Sequence, residues 1–185
     1  MDQSFLSRVA ERLGQPPSYG APSIDGSILA LAATHYGSDA YGDGPGSQSF
    51  DPTAAALFEA LVESAFLVAN ADGEFDAAER ELFQHVVFAA CGGTVAERQI
   101  HALIADLEDL LREDGFDQRV RMVARAVARP DQAREVLRVA ALLAHASGGV
   151  SAAELGLIEK LAGELGLGPE AVTEALGEAE LSLAG

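Results

Sequence analysis

The stretch ANADGEFDAAERELF, residues 69–83, gathers Asp72, Glu74, Asp76 and Glu79 around Gly73 between two apolar runs. Carboxylates at this density can hold a hard divalent cation through oxygen ligands. Laid on a helix–loop–helix calcium loop, residues 68–79 put Asn70 third, Asp72 fifth, Gly73 sixth, Asp76 ninth and Glu79 twelfth. The first place, aspartate in such loops, is Val68 here. A calcium or magnesium site built from Asp72, Asp76 and Glu79, with Asn70 and Glu74, would therefore be weak, with a dissociation constant of roughly a millimolar. The same residues also make helix ends. Asp76 followed three residues later by Glu79 is a capping box, worth about 1 kcal/mol, and Asp72 is then a turn acid. Both readings stay open on these residues.

Other chemistry finds less support. The four histidines, His35, His85, His101 and His145, form no HExxH pair, and Cys91 has no CxxC partner. Cys91 and His85 lie six residues apart, on opposite sides of a helix. No GxSxG, phosphate-binding or dinucleotide loop occurs. The expectation is a protein that is not an enzyme. One cysteine excludes an internal disulfide and points to a reducing, cytoplasmic setting.

Composition narrows the partners. With 12 basic and 29 acidic residues, the formal net charge is −17. Such a chain repels nucleic-acid phosphates and anionic lipid, and attracts cations or a basic protein surface. The most apolar run, residues 54–71, carries Glu59 and Glu63 and is read as a core helix, not a membrane span. The first 14 residues include Asp2 and have no long apolar centre, so no signal peptide is expected.

The elements that must position the acidic loop are helical. No alternating strand pattern occurs. Asp51-Pro52-Thr53 starts a helix over about 53–71 with apolar residues on most sides. Helices are expected next over about 77–91, from Thr94 as a cap until Gly115 interrupts, over 117–128, from Pro130 to about 146, over 152–165 behind Ser151 and Glu154, and after Pro169. Residues 1–52 differ: a short helix, a Gly/Pro-rich break, an apolar segment, and a flexible connector over 37–52. Tyr19, Tyr36 and Tyr41 lie there, each followed by glycine, and are candidate docking anchors for a protein partner or packing residues for the domain. The acidic run 106–117 reads as a solvated helix face or a dock for a basic partner, and the arginine-rich run 119–138 as salt-bridged to that acidic helix or as a binding surface of its own.

The sequence repeats itself at an offset of about 75 residues. Leu67, Ala69, Ala71, Gly73, Ala77, Ala78, Glu79 and Leu82 meet identical residues at Leu142, Ala144, Ala146, Gly148, Ala152, Ala153, Glu154 and Leu157. Small residues ending a helix, a turn glycine, an inward plug (Phe75 or Val150), a cap and a glutamate occur in both copies. The acids Asp72, Glu74 and Asp76 do not: Ser147, Gly149 and Ser151 replace them. The turn thus forms without them, which leaves them available for another task.

This duplicated helix–ADGxxxxxE–helix pattern, with ASGGVSAAELGLIEKLAGELGLGPEAV as its second copy, resembles the TerB-like domain of tellurite-resistance and DjlA-type co-chaperone proteins over about residues 53–180. The resemblance implies an all-α, compact bundle of about seven helices with internal duplication, copies at about 54–105 and 132–180, and no catalytic activity. It implies links to metal and phage stress, attachment to the inner face of the membrane through a protein partner, and cation binding by loop acids, here Asp72, Asp76 and Glu79, with Glu154 alone in the second copy. The function expected is a non-catalytic interaction or regulatory module with a weak cation site at 72–79. The alternative is a divalent-cation sensor.

Overall fold

The computed structural model describes residues 3–16, 27–37, 51–73, 75–146 and 149–183. Along them run eight helices: α1 (Gln3–Gly14), α2 (Ile28–Gly37), α3 (Pro52–Ala69), α4 (Ala77–Ala90), α5 (Glu97–Ala126), α6 (Pro130–Ala146), α7 (Ala152–Glu164) and α8 (Pro169–Leu183). No strand occurs among the described residues. The element order reproduces the repeat: α3, α4 and the start of α5 form one copy, and α6, α7 and α8 the other.

Local signals explain most helix ends. Asp51 Oδ1 accepts the backbone N–H of Thr53 at 2.9 Å and of Ala54 at 3.4 Å, and so caps α3. Ser151 Oγ accepts from Glu154 N–H at 3.2 Å while Glu154 Oε2 accepts from Ser151 N–H at 2.7 Å, a reciprocal capping box at α7. Gly115, at φ 74° and ψ 167°, breaks α5 into two helical pieces, so the helices expected on either side of it run on as one kinked rod. The start of α5 differs from expectation. Thr94 does not cap it; its hydroxyl donates to Cys91 O at 2.7 Å. Ala96 stands at the cap instead, where the Gln99 side chain accepts its N–H at 2.9 Å. Thr94 is turned backward, its N–H at 3.1 Å and its hydroxyl both donating to the Cys91 carbonyl at the end of α4.

The two copies pack through the same helix of each, α3 against α6. Both are buried over most of their length: Phe58, Leu61, Phe66 and Val68 of α3 and Val136, Ala140, Ala141 and Leu142 of α6 have no exposed surface. α3 is long and apolar enough to cross a membrane by composition, the only such helix among the described residues, but 67% of it is buried inside the fold. α1 and α2 join the same core through Val9, Leu13, Leu29, Ala32 and Ala33. The connectors around them, residues 17–26 and 38–50, lie outside the described residues, and with them Tyr19, Tyr41 and the expected flexible stretch.

Two buried arginines tie elements together. Arg119, beyond the α5 kink, donates to Glu63 of α3 from Nε at 2.6 Å and from an η nitrogen at 2.9 Å, and to Asp114 at 3.0 Å. Arg138 of α6, fully buried, grips both oxygens of Glu135 at 2.7 and 2.8 Å. Its η nitrogens also donate to the carbonyls of Arg12 at 3.0 Å and Gln15 at 3.1 Å, capping the end of α1. Within the arginine-rich run, Arg119 therefore reaches the acidic run at Asp114, whereas Arg138 pairs on its own helix and Arg134 pairs with Glu174 of α8. The reason is topological. The kink at Gly115 turns the arginine-bearing half of α5 toward α3, and Pro130 starts α6 against α8 and α1.

Candidate functional site

At the ends of α3 and α6 the two duplicated loops come together. Between them lies a cleft of about 290 Å³. The first copy contributes Asp72, Phe75, Glu79, Leu82, Phe83 and Val86; the second contributes Leu143, Ala146, Ser151 and Glu154. Its floor is apolar. Phe75 sits edge-on to Phe66, centroids 5.5 Å apart at 85°, and to Phe83 at 6.1 Å and 83°. That interlocked trio fixes Phe75 as the inward plug expected from the repeat. Gly73 turns the chain at φ 81°, a left-handed conformation that a side chain would resist.

The rim is acidic, and two of its carboxylates are held in place by backbone donors. Glu79 Oε2 accepts from Asp76 N–H at 3.1 Å, while Asp76 Oδ1 accepts from Ala78 and Glu79 N–H at 2.7 and 2.9 Å. Glu154 is clamped in the same way at Ser151. Three carboxylates, Asp72, Glu79 and Glu154, thus line one cleft, and no lysine, arginine or histidine stands among its described lining residues.

The acids named in the sequence separate in space. Asp72 and Glu79 line the cleft. Asp76 is exposed beside it as the cap of α4. Asn70 donates from Nδ2 to Phe66 O at 2.8 Å and lines a different groove behind Phe75, with Arg80, Glu108 and Arg112. Glu74 lies outside the described residues. Among the described residues no group of three His, Cys, Asp or Glu side chains is close enough to hold a metal ion. The calcium-loop geometry is not adopted because Val68 and Ala69 are the last residues of α3 and Asn70 is its C-cap, which buries Val68 in the core and turns the Asn70 amide back onto Phe66 O.

Of the candidate docking tyrosines, Tyr36 is described. It is half-buried, its ring 4.7 Å from that of Phe58, and burial, aided by Glu59 and Asp106, pushes its hydroxyl above the usual tyrosine range. Cys91 is buried at the end of α4, and burial pushes its thiol up to about 12. A thiol at that value carries almost no thiolate at neutral pH. Ellman's reagent at pH 8 is therefore expected to leave Cys91 of the folded protein unmodified on a timescale of minutes and to label it at once in denaturant. Rapid labelling of the native protein would refute its burial.

Leu143 and Val86 were not legible as site residues, since both read as ordinary core positions. Only the repeat hinted at the pairing, because copies that pack through equivalent helices bring equivalent loops near one another. A family model described as tellurite resistance protein TerB matches residues 58–176, well over half of the chain. No curated protein and no solved structure matches it.

Proposed function

Because the chain belongs to the tellurite resistance protein TerB family, we propose that it is a non-catalytic module that docks another protein in the cleft between its two loops. One observation carries this: the duplicated loops converge on a concave site with an apolar floor and polar rim, the form of a recognition site. The half-buried Leu82 and Phe75 on that floor are where a partner side chain would seat. The setting is cytoplasmic and tied to stress response, and any attachment to a membrane comes through the partner. The test is chemical crosslinking and capture with the wild-type chain beside Leu82→Glu, a floor variant checked for an unchanged helical spectrum. Proteins captured by the wild type should be lost with the variant. Capture of the same set by both would exclude the cleft.

A divalent cation is the second candidate occupant: Asp72, Glu79 and Glu154 line one cleft with no basic residue among its described lining, although no three of them stand close enough to ligate an ion directly, so it would sit there hydrated. Calorimetric titration of calcium, magnesium and zinc into the metal-stripped protein, beside Asp72→Ser/Asp76→Ser, decides it. Heat that vanishes in the variant supports a cation-sensing role; no heat in either protein removes it.

A further inference from the structure

The described lining of the cleft is charged in one sense only, and its volume restricts what can enter. About 290 Å³ is at the small end of ligand pockets, enough for one or two side chains and not for a folded element. A wholly apolar guest would press against the acidic side chains of Asp72 and Glu79 and strip water from them, with no donor of its own to replace it. An acidic guest would meet like charge. A guest with an apolar stem and a cationic head satisfies both parts: methylenes on Leu82, Leu143 and Phe75, and the head at the carboxylate rim.

We propose that the cleft takes an arginine side chain from a basic, apolar-flanked segment of a partner protein. Arginine fits better than lysine because its planar guanidinium can lie on the Phe75 ring and bond carboxylates two at a time. Glu79 and Glu154 occupy equivalent places in the two copies, and each is already held by its capping hydrogen bond. The rim charges are therefore ordered before binding, which lowers the entropy lost when a guest arrives. The charge of −17 would also steer such a segment toward the protein, so the cleft must be separated experimentally from the general field.

This proposal rests on the protein-docking reading, and its test distinguishes the two. The probe is a short fluorescein-labelled peptide of arginine and leucine, compared with a neutral twin carrying citrulline for every arginine, measured by anisotropy at physiological salt. The full chain is used as wild type, as Asp72→Asn/Glu79→Gln, and as Asp109→Asn/Glu113→Gln. The last pair makes the same charge change on the exposed face of α5. In the cleft pair, the carboxamide introduced by Glu79→Gln still accepts the Asp76 N–H, so the cap of α4 is kept. The arginine peptide should bind the wild type at least about tenfold more tightly than its twin. It should lose about tenfold with the cleft variant and less than about twofold with the α5 variant. Equal losses in both variants would overturn the proposal, leaving only long-range attraction. Equal, Leu82-dependent binding of both peptides would overturn the arginine assignment while keeping the docking cleft. Binding of neither peptide would overturn both.

Discussion

Removing residues 1–37 is expected to abolish cooperative folding of the remainder, even though the family match begins only at residue 58. α1 and α2 supply Val9, Leu13, Leu29, Ala32 and Ala33 to the shared core, every one at least 95% buried. A large buried aliphatic side chain contributes about 1.5–3 kcal/mol. Three such losses, together with the apolar surface newly exposed on α3 and α4, approach the whole stability of an ordinary domain, about 5–15 kcal/mol. Residues 38–185 should therefore show broad, non-cooperative thermal unfolding by circular dichroism and bind a hydrophobic dye. A sharp transition close to that of the full chain would show that α1 and α2 are dispensable.

Arg138→Met should be the most damaging single substitution. Arg138 has no exposed surface and satisfies Glu135 and the carbonyls of Arg12 and Gln15 simultaneously. Methionine fills much of the space but leaves the Glu135 carboxylate and the end of α1 without their donor. Breaking a buried pair from one side costs about 3–5 kcal/mol, which for a chain of this length lowers Tm by roughly 6–20 °C. Glu135→Leu/Arg138→Met removes the stranded charge and should recover a good part of that loss, because an apolar pair of similar size often matches a buried ion pair. If the double variant melts no higher than Arg138→Met, the damage lies in the uncapped α1 carbonyls and not in Glu135. If Arg138→Met itself melts like the wild type, the buried network does not hold α1.

Most of the architecture was legible along the chain. Asp51, Asp76 and Ser151 announce helix starts by chemistry that acts over three residues, so no distant part of the molecule is needed to read them. The same holds for the break at Gly115 and for the apolar faces of α3 and α6. Thr94 misled because its hydroxyl joins its own N–H on the Cys91 carbonyl at the end of α4, while the cap of α5 falls two residues later, at Ala96. The candidate site was legible only in part. Asp72 and Glu79 were identified, but the linear register also enlisted Asn70, which the last turn of α3 carries into another groove. Partners remote in sequence left no local trace. Neither Glu63 with Arg119, 56 residues apart, nor Arg138 with the carbonyls of α1 could be paired by spacing.

By itself the sequence determined the helices, the caps at Asp51, Asp76 and Ser151, the duplication and the acidic character, since these depend on periodicity and on contacts within a turn. The tertiary structure decided what faces what. It set α3 against α6, so that Leu143 and Glu154 of one copy close a cleft begun by Asp72, Phe75 and Glu79 of the other. That pairing follows from burying two apolar helices against each other, a long-range requirement that many different pairings would meet equally well in one dimension and few can meet in three.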